Sequence, residues 1–169
     1  MTLEEAISLI NHASKPNNPT HWADLGCGSG LFTLALSHYL ARGSTIDAID
    51  LRPTITRQTT SNGVVIRPHK ADFTKDPLPF ATPDGILMAN SLHYVRDKRA
   101  FLTRIQHVPT ILLVEYDTDR AVPRWVPYPL SYGSAAGLLS SAGWTHIQKL
   151  GTRPSAFGRA ELYAALATH

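Results

Sequence analysis

Only one cysteine, Cys27, occurs in the 169 residues. The chain therefore holds no intramolecular disulfide, no zinc site built from several thiolates, no cysteine-ligated iron-sulfur cluster and no dithiol relay. Long apolar runs are equally scarce: the longest aliphatic stretch is Ile111-Leu112-Leu113-Val114, far short of the roughly 18 residues that a membrane span needs. The first residues, Met1-Thr2-Leu3-Glu4-Glu5, are acidic where a secretory or transit signal is basic and then apolar. A cytoplasmic location is expected. Charge of one sign is not in large excess, since 16 Lys and Arg stand against 13 Asp and Glu for a formal charge of +3. The nearest approach to a basic cluster, Arg96, Lys98, Arg99 and Arg104, is interrupted by Asp97. A nucleic-acid partner asks for a denser basic stripe and is not expected. Repeats and low-complexity tracts are absent, and the Pro-rich stretches at 76–83 and 123–129 are too short to part domains. One domain over residues 1–169 is the expectation.

What is present is a globular composition, with 43% hydrophobic and 17% charged residues, 11 Gly and 12 Pro. Thr2 and Glu5 have the spacing of a capping box, and Leu3, Ala6, Ile7 and Ile10 share one helical face, so a short amphipathic helix should open the chain and end before Pro16. Residues 22–25 read as a strand, Gly26 to Gly30 as a glycine-rich turn, and Leu31 to Ala41 as a helix stopped by Gly43. Strands are expected at 45–50, 64–66, 86–89 and 111–114, with a weak helix at 54–60 and a firmer one at 97–106. A helix at 134–142 closed by Gly143 precedes two strands, 144–150 and 161–167, with no helix between them. These two should pair antiparallel. The alternation predicts an α/β fold: a Rossmann-like, open, mostly parallel seven-stranded sheet with helices on both faces and a C-terminal antiparallel hairpin. In such a sheet the ligand crevice lies at the carboxyl ends of the strands, where the strand order reverses.

Asp24-Leu25-Gly26-Cys27-Gly28-Ser29-Gly30 falls at the first strand-to-helix junction. Its glycines run G-x-G-x-G, and Leu31 stands near the place where the dinucleotide fingerprint carries its third glycine. The Lys-Ser/Thr of a triphosphate loop is also missing. A cofactor without phosphates fits better. Asp50, at the end of the second strand, can accept both hydroxyl hydrogens of a ribose, and Asp24 adds a second carboxylate that suits a cationic group and repels a diphosphate.

The run from Trp22 to Gly30, followed by Asp50, resembles motif I and the acidic motif of class I S-adenosylmethionine-dependent methyltransferases. Ala71-Asp72-Phe73 resembles the family's adenine-side acidic residue and its neighbour, and Asp84 to Asn90 resembles the fourth strand leading to the reaction centre. The resemblance covers nearly the whole chain. It implies S-adenosylmethionine as cofactor, with Gly26, Gly28 and Gly30, together with Cys27 and Ser29, passing close under the methionine moiety; Cys27, a small residue in a tight loop, is expected to contribute through its backbone. It further implies Asp24 near the ammonium group, Asp50 on the ribose hydroxyls, Asp72 on the adenine amino group and Phe73 beside the ring. Leu51 and Asn90 complete the expected cofactor neighbours.

Methyl transfer from a sulfonium needs alignment more than dedicated catalytic groups. The segment Asn90-Ser91-Leu92-His93-Tyr94 faces the methyl group in the resembled family, and His93 is the candidate general base because imidazole titrates near neutral pH. The Pro-Pro-aromatic continuation of adenine amino methyltransferases does not follow Asn90, and the nucleophilic cysteine of cytosine C5 enzymes is missing. Tyr94, Trp125 and Tyr128 are expected to wall the acceptor, with Arg124 available for a carboxylate or phosphate. The expected acceptor is a small molecule. A catalytically silent cofactor-binding subunit and a methyltransferase of RNA or protein remain open alternatives. So little chain is free to form a lid that the cleft should be open, roofed by Trp125 and Tyr128 and covered further by the acceptor or a second subunit, as in a homodimer.

Overall fold

The computed structural model describes residues 1–11, 17–78, 82–155 and 160–169. Helix α1 spans Leu3–Leu9, and the capping box closes as expected: Glu5 N–H donates to Thr2 Oγ1 at 3.2 Å and Thr2 N–H to Glu5 Oε2 at 2.7 Å. The stop expected before Pro16 lies outside the described residues. Strand β1 (His21–Leu25) leads through the glycine loop into α2 (Leu31–Ser37). This helix ends short of the expected Ala41 because the Asn62 side-chain amide donates to Ser37 O and Leu40 O and holds the last carbonyls in turn geometry. Strand β2 occupies Thr45–Asp50, as the β-branched pattern requires.

No helix forms at 54–60. Pro53 and the β-branched Thr54, Ile55, Thr56, Thr59 and Thr60 resist it. The chain instead makes a two-residue strand, β3 (Gln58–Thr59), antiparallel to β4 (Val65–Lys70). Among the described residues the sheet thus has eight strands where seven were expected. Because β3 reaches only Val65 and Ile66, β4 is an edge by the time it reaches Pro68, which is where a residue lacking an N–H can be tolerated.

Strand β5 (Gly85–Ala89) is followed by a 3-10 turn (Leu92–Tyr94), α3 (Lys98–Ile105), β6 (Thr110–Tyr116), α4 (Tyr132–Ser141), β7 (His146–Pro154) and β8 (Glu161–Thr168). Strand β7 starts later than expected because Trp144 turns into the core, fully buried, with Nε1–H donating to Val108 O at 3.0 Å. The strand order is β3-β4-β2-β1-β5-β6-β8-β7, with β4, β2, β1, β5 and β6 parallel and β8 antiparallel to both neighbours. Alternate strand residues feed two cores. Ala23, Ile86, Met88, Ile111 and Leu113 meet α3 and α4 on one face, while Trp22, Ile46, Ala48, Leu87 and Leu112 meet α1 and α2 on the other. The chain leaves β1 toward β2 and β4, then returns to β5 on the opposite side of β1. The order reverses between β1 and β5, so the loops after these two strands open a crevice there.

Candidate functional site

The glycine loop is held at its base by Gly26 N–H and Cys27 N–H, which both donate to Ile49 O at 2.8 and 3.0 Å. Asp50 clamps it from the end of β2. Its Oδ2 accepts from Gly28 N–H at 2.9 Å and its Oδ1 from Arg52 N–H at 2.8 Å, which leaves each oxygen a further lone pair for a ligand hydroxyl. Thr54 N–H donates to Gly28 O at 3.1 Å, so the segment where a helix was expected supplies a second clamp on the loop.

The three glycines have different reasons. A Cβ on Gly30 would lie inside the Ile55 side chain, so this glycine serves packing. A Cβ on Gly26 would come to 2.5 Å from Ser91 Cβ, because the loops after β1 and β5 touch at that point. Gly28 has φ +52°, in the left-handed region, and a Cβ there would meet nothing within 4 Å. Its surroundings are an open cradle.

A cleft of about 390 Å³ is lined by Gly26, Asp50, Leu51, Asp72, Phe73, Thr74, Asn90, Ser91 and Tyr94. Four loops, each following a parallel strand or its extension, converge on it. Leu51 is 60% exposed, a large apolar side chain left at the cleft wall instead of in the core. Phe73 is buried and braced edge-on by Phe101 at a centroid distance of 5.9 Å. Asp72 Oδ1 accepts from Thr74 Oγ1 at 2.5 Å and Thr74 N–H at 3.0 Å, and Lys75 Nζ lies 3.2 Å from Oδ2. These contacts, the Thr74 hydroxyl foremost, hold the carboxyl below its ordinary range and keep it an acceptor. Asn90 carries φ +54°, uncommon for a residue with a Cβ, and its buried Oδ1 has no hydrogen-bond partner. A strained residue with an orphaned acceptor on the cleft wall is suited to a ligand that brings a donor.

Other expected residues stand elsewhere. Asp24 is fully buried beside α2 and does not line the cleft. Its Oδ2 accepts from Thr33 Oγ1 at 2.5 Å, its Oδ1 is unpartnered, and burial pushes its pKa up to about 7. Cys27 belongs to the core, and burial raises its thiol to about 12, which removes it as a nucleophile at neutral pH. Ser29 is exposed on the loop. His93 was expected to face the reaction, but it is 2% exposed and absent from the cleft wall, with Nδ1 2.6 Å from Glu115 Oε2.

A second cleft of about 620 Å³ shares Thr74 and Tyr94 with the first and is also lined by Phe101 and Tyr128. Tyr94 and Tyr128 are 52% and 38% exposed. Arg124 and Trp125 line neither cleft. The reason is local: Val122 and Val126 exchange backbone hydrogen bonds of 3.1 and 2.8 Å, closing a tight turn whose tip carries Arg124 and Trp125 toward solvent. Of the two residues expected to roof the cleft, Tyr128 lines it and Trp125 does not. Thr74 and Ser91 also line the first cleft, and neither was expected there. Nothing local marks Ser91, whose Oγ donates to Leu25 O at 2.5 Å across 66 residues.

Comparison with known proteins agrees with this geometry. The methyltransferase-domain family profile matches residues 23–109, more than half of the chain. No match was found among curated proteins. Among solved structures, the chain resembles 1,6-didemethyltoxoflavin-N1-methyltransferase of Burkholderia thailandensis, solved with bound 1,6-didemethyltoxoflavin and S-adenosylhomocysteine (21% identity, TM-score 0.66, 98% of this chain and 77% of that one). It also resembles human N-acetylserotonin methyltransferase in complex with S-adenosylmethionine (25%, 0.63, 97% and 50%), of which it spans half the length. A third likeness is a SAM-dependent methyltransferase of Aquifex aeolicus (19%, 0.59, 97% and 88%). Among the described residues no helix is long and apolar enough to cross a membrane. The profile match, the strand order with its reversal at β1/β5 and the carboxylate-lined crevice after the glycine loop lead to one conclusion: the chain belongs to the class I S-adenosylmethionine-dependent methyltransferase family.

Proposed function

We propose that this methyltransferase acts on a small-molecule nucleophile, with the first cleft holding the cofactor and the Tyr94–Tyr128 cleft receiving the acceptor. The observation that carries this reading is the pair of adjoining clefts. Their shared wall at Thr74 and Tyr94 puts two ligand-sized spaces side by side, and about 620 Å³ suits a small molecule. The Burkholderia enzyme, an N1-methyltransferase solved with bound 1,6-didemethyltoxoflavin, supports the same choice.

In this reading Asp50 accepts from the ribose hydroxyls and Asp72 from the adenine amino group. Leu51 and Phe73 flank the ring, and Asn90 Oδ1 accepts from the ammonium group, with Asp24 beneath the loop adding a favourable field. When bound, the cofactor supplies a methyl carbon on a sulfonium sulfur, so that the nucleophile–carbon bond forms as the carbon–sulfur bond breaks and the sulfur leaves as a neutral thioether. The protein's part is to bind, align and exclude water. His93 contributes through position: with Nδ1 and N–H both given to Glu115, it holds the turn that presents Ser91 and Tyr94. A lone, core-buried thiol suits a reducing cytoplasm.

The test is release of S-adenosylhomocysteine from S-adenosylmethionine with a metabolite extract, an RNA pool or a protein pool offered separately. Release with the metabolite extract alone is the expected result. Release that follows RNA or protein overturns the small-molecule reading, and no release with any pool overturns the active-enzyme reading in favour of a silent subunit.

A further inference from the structure

Among the described residues, three cations stand on the wall of the second cleft, and two of them are committed. Lys75 Nζ pairs with Asp72 at 3.2 Å. The Arg104 guanidinium donates to the carbonyl oxygens of Phe73 and Thr74 and lies over the Phe101 ring, 5.3 Å from its centroid. Arg96 is different: it is exposed on the same wall and has no hydrogen-bond, ion-pair or ring partner among the described residues. The one carboxylate on this wall, Asp97, has Oδ1 engaged in capping α3 through Ala100 N–H at 2.9 Å.

The aromatic members of the wall are held in place. Tyr128 N–H donates to His93 O at 3.1 Å, and the buried Lys98 Nζ donates to Tyr128 O at 2.6 Å and Val95 O at 3.0 Å. Lys98 Nζ also sits 5.5 Å from the Tyr128 ring centroid. The loop that carries Tyr128 is thus pinned to the turn that carries Tyr94. Two half-exposed phenol rings on a fixed frame provide flat apolar area at little ordering cost.

We infer that the acceptor is a planar aromatic anion, its ring against Tyr94 and Tyr128 and its carboxylate or equivalent acid group read by Arg96. The inference rests on the assignment of this cleft to the acceptor. A guanidinium binds a planar carboxylate through paired N–H donors, and the resulting charge-assisted bonds are stronger than those to a neutral amide. The other charges of the wall balance, Lys75 against Asp72 and Arg104 against Asp97, so Arg96 leaves it net positive.

The experiment measures calorimetric binding of hydroxybenzoates, hydroxynaphthoates and indole carboxylates, each beside its carboxamide, to the full chain saturated with S-adenosylhomocysteine. The same compounds are scored for S-adenosylhomocysteine release with S-adenosylmethionine. At least one acid should bind about tenfold or more tightly than its amide. Arg96→Gln should erase that preference, whereas Arg99→Gln, an equal charge change outside the cleft wall, should keep it. If no acid outbinds its amide, or if both variants act alike, the inference is overturned. Methyl transfer confined to neutral compounds overturns the anion inference and leaves the acceptor cleft standing. Arg96-dependent binding of acids without transfer to any of them overturns the acceptor assignment and with it the inference.

Discussion

Glu115 grips His93 twice: its Oε1 accepts the backbone N–H at 3.1 Å and its Oε2 accepts Nδ1–H at 2.6 Å, with the two side chains 1% and 2% exposed. The first residue belongs to β6 and the second to the turn after β5, so the pair ties the end of one parallel strand to the cleft-forming loop of its neighbour. Glu115→Gln should therefore loosen this turn. Losing a buried charge-assisted pair costs about 1–3 kcal/mol, to be seen in urea unfolding. Turnover should fall by a larger factor than the affinity for S-adenosylhomocysteine, because Tyr94 is displaced while Asp50 and Asp72 are untouched. Unchanged unfolding would remove the positioning role.

Asp50→Ala should weaken cofactor binding by about 1–3 kcal/mol. The carboxylate has two duties, since it also receives Gly28 N–H and Arg52 N–H. Leu51→Ala, which removes an exposed wall and no clamp, should weaken binding less and leave the melting temperature unchanged. Calorimetry and thermal unfolding of both variants decide this, and equal affinity of Asp50→Ala and wild type would place the ribose elsewhere.

Gly28→Val and Gly30→Ala should fail in different ways. Left-handed backbone costs a residue with a Cβ about 1–2 kcal/mol at either position, but only at Gly30 does the new atom strike Ile55. Gly28→Val should stay folded and lose cofactor binding, while Gly30→Ala should lose most in stability. A folded Gly28→Val with full affinity would show that the cradle is not the cofactor's path.

Asp24 makes stability depend on pH. Its pKa in the folded chain is about 7, above the ordinary carboxylate value, because burial opposes the charge. Below about pH 4 it is protonated in both states, and between about pH 4 and about pH 7 the unfolded chain ionises first, so stability falls as pH rises through this window. Asp24→Asn should abolish that slope and be relatively more stable than wild type at pH 8. Unfolding free energies at pH 5 and pH 8 measure it, and identical slopes for the two proteins would contradict the burial of Asp24.

Much of the first cleft was legible because its residues follow strand ends at set spacings. Gly26, Asp50, Leu51, Asp72, Phe73 and Asn90, expected at the cofactor, line one wall, where Tyr94, expected at the acceptor, joins them. The second cleft was less legible. The aromatic and basic residues from 124 to 128 read alike along the chain, and only the Val122–Val126 turn separates Tyr128, at the cleft, from Arg124 and Trp125, at the tip. Ser91 was invisible because its partner Leu25 lies 66 residues away.

The sequence by itself determined the alternation of strands and helices, the capping box at Thr2 and Glu5, and the chemistry of the glycine loop, since hydrophobic periodicity, capping and turn residues act over a few positions. Only the tertiary structure decided that Thr54 clamps the glycine loop where a helix was expected, that His93 faces Glu115 and not the cleft, and that Arg96 has no partner among the described residues on the wall it shares with two tyrosines. Each of these depends on which distant atom fills the next few ångströms, a property of packing that no local pattern encodes.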